Sequence, residues 1–238
     1  MEQQLAAATQ DFRSGRFADA EAKLRAVLKD EPRQAYGWKV LGVVYAAQGM
    51  HDLASEPFAK ACQLNSKEVD ACYFLARNHY LRNRFEEALQ LFTQLRKTSS
   101  KDWRYHNGAG LAFSGLGQYR EAERAFREAM RYENGHASLD EKPAINLGSL
   151  FLREGRATEA FDVLTKVTSD YPAAARAWFE QGKAALQLDR LQAAETALQS
   201  AVAARPRYGQ AHLLLAKLYA RMGDGEKAAE HRRRAGMR

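Results

Sequence analysis

Proline is scarce in this sequence, at five residues in 238. A chain so poor in the residue that interrupts helices can run helical for most of its length. Cysteine is scarcer still: Cys62 and Cys72 are the only two. Two are too few for a disulfide framework, and they lack metal-site spacing. They read as two buried thiols, which suits a reducing compartment. No apolar run approaches the roughly 18 residues of a membrane-spanning helix. The N-terminus, MEQQLAAATQDFRSGRF, lacks a basic flank followed by an apolar stretch, so no signal peptide is expected. The expected location is cytoplasmic, or exported if a leader has been trimmed. The sequence contains no P-loop, no dinucleotide glycine fingerprint and no nucleophile elbow. No two histidines stand at the helical spacing of a metal pair. Neither an enzyme nor a cofactor is expected.

What is present is helix-forming composition and repetition. Ala, Leu, Arg, Gln and Glu are abundant, with 46% hydrophobic and 27% charged residues, which argues against disorder. Leu41-Gly42, Leu75-Ala76 and Ala109-Gly110 are each 34 apart, and so are Ala20, Ala54, Ala88 and Ala122. The spacing resumes with Ala160, Ala194 and Ala228 after four extra residues. Seven repeats follow, over 1–34, 35–68, 69–102, 103–136, 141–174, 175–208 and 209–238, with residues 137–140 inserted. Numbering the slots of one repeat from its start, slot 8 reads Ala8, Gly42, Ala76, Gly110, Gly148, Gly182 and Ala216. Slot 20 is alanine throughout. Slot 24 reads Leu24, Phe58, Phe92, Phe126, Leu164, Leu198 and Arg232, and slot 15 is mostly glycine.

These residues resemble the tetratricopeptide repeat family over essentially the whole chain. The second repeat is the fullest match, with Trp38, Leu41, Gly42, Tyr45, Ala54, Phe58 and Ala61 in signature slots. The spacing itself supports paired helices. Slots 4, 7, 8 and 11 share one face of a first helix, and slots 20, 24 and 27 one face of a second. Small residues at slots 8 and 20 admit close backbone approach, while slot 24 fills the space between repeats. Glycine near slot 15 ends the first helix. The expected fold is all-α, about seven helix-turn-helix repeats and about fourteen helices. The resemblance implies a single right-handed superhelical solenoid.

Both ends look solvated, as the ends of a complete array should. Gln4 and Asp11 occupy slots that are usually apolar elsewhere, and Arg232 replaces the large apolar residue of slot 24. Pro57 falls near the start of a second helix, and the Glu133–Pro143 linker is the longest connection. His106 and His212 in slot 4, and His79 in slot 11, sit in packing positions.

The resemblance implies a concave face lined by the first helices at slots 2, 5, 6, 9, 12 and 13. Those slots hold ten basic residues against three acids, Glu2, Asp70 and Glu180. That excess of seven equals the net charge of the chain, +7. A basic groove steers acidic partners, and Tyr36, Tyr73, Phe74, Tyr80 and Phe179 add aromatic surface of the kind that anchors peptides. The contact residues expected are Lys39, Tyr73, Arg77, Arg104, Asn107, Lys142, Asn146, Arg176, Phe179 and Lys183. The family's two-carboxylate clamp is not reproduced: Asn146 fills a slot 6, but Leu111 stands at the preceding slot 9. The expected role is a protein-interaction scaffold for an acidic segment. The alternatives are a recruiting module for an enzyme in trans and an assembly factor of a bacterial envelope machine. Nucleic acid is the least favoured ligand, because no RNA-binding signature accompanies the charge.

Overall fold

A computed structural model describes residues 2–65, 69–135 and 137–236. Fourteen α-helices and no strand occur among the described residues. The chain divides into two compact units, residues 1–118 and 119–238. Unit 1 contains α1 (Glu2–Arg13), α2 (Phe17–Asp30), α3 (Ala35–Ala47), α4 (His51–Leu64), α5 (Val69–Leu81), α6 (Phe85–Thr98) and α7 (Trp103–Gly115). Each helix packs on the next, and α1, α3, α5 and α7 also meet in succession. First helices therefore form one layer of the unit and second helices the other. Unit 2 contains α8 (Tyr119–Tyr132), α9 (Pro143–Arg153), α10 (Ala157–Asp170), α11 (Ala175–Gln187), α12 (Leu191–Ala204), α13 (Gly209–Arg221) and α14 (Gly225–Arg234). Here too neighbours in sequence pack together, and α9 meets α11.

The turn between paired helices needs one residue in the left-handed region. Gly15, Gly49, Gly117, Gly155 and Gly223 supply it, with φ between 73° and 82°. The two repeats that lack a glycine there use Asn83 and Asp189, at φ 57° and 58°. Short polar side chains tolerate this conformation better than others. The slot 20 alanines are buried in every repeat. A Cβ at Gly42 would sit 2.5 Å from the Phe58 ring of its own repeat, and one at Gly108 would sit 2.3 Å from Phe92 of the repeat before. Slot 24 thus fills space within a repeat as well as between repeats. Pro57 lies inside α4, which continues from His51 to Leu64.

Two local expectations need correcting. Asp11 is buried rather than solvated, and accepts hydrogen bonds from Lys23 Nζ at 2.5 Å and Arg16 Nη2 at 2.5 Å. These bonds, first from Lys23 and then from Arg16, hold its carboxyl below the usual range. Gln4 and Arg232 are exposed, as the sequence suggested. Cys62 and Cys72 are joined in a disulfide, with Cα atoms 4.8 Å apart. One cysteine lies in the last turns of α4 and the other in the first turns of α5. They occupy slot 28 of one repeat and slot 4 of the next, which packing brings face to face. The pairing removes the ground for expecting thiols, and with it the preference for a reducing compartment.

One histidine contact is not visible in the spacing. His212 and His231 are nineteen positions apart, beyond any single helix face, yet their Nδ1 atoms lie 2.9 Å apart. His212 Nε2 donates to the Pro206 carbonyl at 3.0 Å. A His212 ring with its single proton on Nε2 offers Nδ1 as acceptor to His231 Nδ1–H. Burial, and next the proximity of His212, keep the His231 pKa below the ordinary histidine value. The unfolded chain therefore takes up the proton first. The stability this pair gives is present above about pH 6.5 and declines as pH falls through the folded-state pKa. We expect amide exchange in α14 to accelerate between pH 7.5 and 5.5 after correction for intrinsic rates. Equal protection at both values would show that the pair does not hold α14.

Candidate partner-binding faces

In unit 1 the face is assembled from α3, α5 and α7. Tyr73 of α5 lies between two guanidinium groups, with Arg104 Cζ 5.2 Å and Arg77 Cζ 5.8 Å from its ring centroid. Tyr105 stands 5.8 Å from Tyr73, and Arg104 also covers it at 5.5 Å. Such stacking holds a guanidinium in place. Arg104 is further fixed by Asp102, which accepts from its Nη2 at 2.7 Å and its Nε at 3.1 Å. Asp102 also caps α7 by accepting from the Arg104 backbone N–H. Burial alone would raise the Asp102 pKa, but its bonds to Arg104 outweigh that and hold the carboxyl low. The same partnership raises the Arg104 pKa further. Asp70 adds a longer contact to Arg104 at 3.5 Å. Lys39 lies 5.0 Å above the ring of Tyr36, and Asn107 is buried.

Beside this platform is a pocket of about 240 Å³ with apolar walls from Val43, Ala46, Phe58, Phe74 and Leu81. Arg77 lines it and also covers Tyr73. One side chain therefore belongs to both features. Apart from Phe58 of α4, these walls come from slots 9 and 12 of α3 and slots 6, 9 and 13 of α5, which are groove slots. Leu81 is an exposed large apolar residue. Val43 and Leu81 were absent from the expected contacts because a charge-and-aromatic reading passes over aliphatic residues.

In unit 2, Phe179 of α11 contacts Tyr208 with ring centroids 5.0 Å apart. Lys183 stands 5.6 Å from the centroid of Phe179 and donates to Glu180 at 2.8 Å. An open concavity of about 420 Å³ is lined by Phe179, Glu180 and Lys183 with Leu213, Leu214 and Lys217 of α13. The remaining expected contacts do something else. Lys142 is only 3% exposed. It donates to Glu133 at 3.2 Å and stands 4.1 Å over the Tyr171 ring. Arg176 reaches back to the linker, donating to the Asp140 carbonyl at 2.8 Å and to Asn146 at 2.7 Å. Arg205 pairs with Asp140 as well. Lys142, Asn146 and Arg176 are thus occupied in seating the inserted linker.

The acids Asp102, Glu133, Asp140 and Asp189 lie outside the groove slots. In space Asp102, Glu133 and Asp189 pair with Arg104, Lys142 and Arg221, while the Asp140 carboxylate pairs with Arg205. Three of the ten basic groove-slot residues are therefore balanced locally by acids from outside those slots. Among the described residues no group of three or more His, Cys, Asp or Glu side chains is disposed to hold a metal ion. No helix is long and apolar enough to cross a membrane, among the same residues.

Helical hairpins repeated at 34-residue spacing, with a layer of first helices presenting aromatic and cationic side chains, define a helical-repeat solenoid of the interaction class. The tetratricopeptide repeat profile matches residues 5–69, 73–131, 108–167, 145–208 and 179–235, and the chain belongs to that family. Human Superkiller complex protein 3 is 26% identical over 86 residues, which is 36% of this chain and 6% of that protein. The chain accordingly spans a small part of this curated relative. A tetratricopeptide repeat protein from Parabacteroides merdae superposes with TM-score 0.80 at 17% identity, covering 99% of this chain and 91% of the other. YrrB, described as a TPR protein with an unusual peptide-binding site, gives TM-score 0.52 at 22% identity over 75% of this chain and 90% of its own. At these identities the likeness is one of fold. The family is in general a non-catalytic protein-interaction fold.

Proposed function

We propose that the chain is a scaffold whose unit 1 face binds a partner segment carrying carboxylates next to an apolar side chain. The observation that supports this reading is the placement of Tyr73 between Arg77 and Arg104, directly beside the apolar pocket that Arg77 shares. An aromatic flanked by guanidinium groups and adjoining an apolar pocket has the composition of an interface hot spot. The apolar side chain would enter the pocket, and the carboxylates would be drawn to the positive charge of the two guanidinium groups. The concavity at Phe179, Leu213 and Lys217 offers unit 2 a related combination of aromatic, apolar and cationic side chains. The peptide-binding description of YrrB, and the complex membership in the name of the human relative, agree with a scaffold role.

The test is fluorescence anisotropy with a labelled peptide of alternating glutamate and phenylalanine, against a lysine and phenylalanine control. Arg77→Glu is the informative variant because Arg77 is exposed. We expect it to weaken the acidic peptide by about tenfold or more, as loss of a hot-spot residue does, without lowering the unfolding temperature. Equal affinity for both peptides, or no effect of Arg77→Glu, would remove this assignment.

A further inference from the structure

We infer that the Cys62–Cys72 bridge makes binding on the unit 1 face sensitive to thiol redox conditions. This rests on the reading of that face given above. The bridge ties the last turns of α4 to the first turns of α5 across ten residues of sequence. Cys72 lies between Asp70, which contacts Arg104, and Tyr73, which Arg77 and Arg104 cover. It packs in the same apolar cluster as Phe92 and Tyr105, with Tyr73 against that cluster. The covalent link therefore acts on the helical turn that carries the aromatic centre of the platform. The corresponding positions at other junctions hold Leu28 with Trp38, Arg96 with His106, Thr168 with Trp178, and Val202 with His212. None of those pairs can be covalent, so this junction alone can be opened or closed by electron transfer.

The reaction is thiol–disulfide exchange with a dithiol reductant. A reductant thiolate attacks the Cys62 sulfur, since Cys62 is partly exposed while Cys72 is buried. The Cys62–Cys72 bond breaks, and Cys72 leaves as a thiolate that takes up a proton. The second reductant thiolate then attacks the mixed disulfide and releases Cys62, which is protonated in turn. Two electrons pass to the protein, and the reductant ends as a disulfide. The freed junction regains chain entropy that the bridge had removed, so the first turns of α5 open more often and the platform is less pre-organised.

The experiment compares the oxidised chain, the chain reduced with dithiothreitol, and the Cys62→Ser/Cys72→Ser variant. Hydrogen exchange over residues 70–75 and anisotropy with the glutamate–phenylalanine peptide are both measured. Reduction is expected to speed exchange and to weaken the peptide by about fivefold or more, at the low end of ordinary coupling between sites. The double serine variant should match the reduced chain and ignore dithiothreitol. Unchanged exchange overturns the inference whether or not any peptide binds. Faster exchange with unchanged affinity overturns it too. In the oxidised chain, Arg77→Glu reports separately on the face. If it weakens the peptide while reduction does not, the face stands and the redox inference falls. If the oxidised chain binds no peptide, both fall.

Discussion

Replacing Phe92 by alanine is expected to destabilise unit 1 by about 3–5 kcal/mol, the usual cost of emptying a fully buried phenylalanine site. The ring is 1% exposed and covers Gly108 so closely that a Cβ there would meet it at 2.3 Å. Its edge also faces Tyr73, with centroids 6.1 Å apart. Backbone at Gly108 cannot collapse into the void without dragging α7, so relaxation is limited and the cost stays high. Repeat proteins hold together through nearest-neighbour interfaces, so the loss should appear first in α5, α6 and α7. The check is urea unfolding combined with hydrogen exchange resolved by helix. A loss below about 1 kcal/mol would mean that the site repacks, contrary to the geometry of a rigid core. The reciprocal change, Gly108→Ala, forces the same ring aside and should cost about 1–3 kcal/mol.

The second large effect is expected at the linker. Glu133→Gln should destabilise unit 2 by about 3–5 kcal/mol, because it leaves the buried Lys142 ammonium without its counter-charge. The side chains of Lys142 and Glu133 are 4% and 12% exposed, and Glu133 also accepts from the Ala137 backbone N–H at 3.0 Å. Adding Lys142→Met removes the ammonium while glutamine still offers an acceptor to Ala137. The double variant should return to within about 1 kcal/mol of the parent, since an uncharged replacement of a buried pair is often neutral. Thermal unfolding of the two variants measures the difference. Equal stability of single and double variants would show that the ion pair is not what holds the linker. It follows that reversing the charge of Lys142 tests folding rather than binding. Arg77 is the proper position for a binding test.

The candidate face was legible in part. Tyr73, Arg77 and Arg104 stand together because slots 2, 5 and 9 of successive first helices share a face, and slot counting captures that. The count failed at Lys142, Asn146 and Arg176 for a physical reason. Their partners, Glu133 and Asp140, lie in the one connection that departs from the repeat. Periodicity cannot tell where an inserted loop returns. The aliphatic pocket was missed because Val43 and Leu81 look like ordinary packing residues until α3 and α5 are set side by side. The disulfide was concealed for a related reason. Cysteine counting gives no signal at two residues, and only the facing of slot 28 with slot 4 joins them.

The sequence by itself determined the repeat length, the helix pairs, the left-handed turn positions and the small-against-large packing of slots 8, 20 and 24. Each of these is local chemistry restated from repeat to repeat, so redundancy removes ambiguity. Tertiary structure decided what happens to charges and reactive groups: the burial of Asp11 and Lys142, the His212–His231 contact and the Cys62–Cys72 bond. Those outcomes depend on which side chains from different elements come within a few ångströms. Coulombic, hydrogen-bonding and covalent interactions are set by that distance and by the exclusion of water, and neither is written in the spacing of residues along the chain.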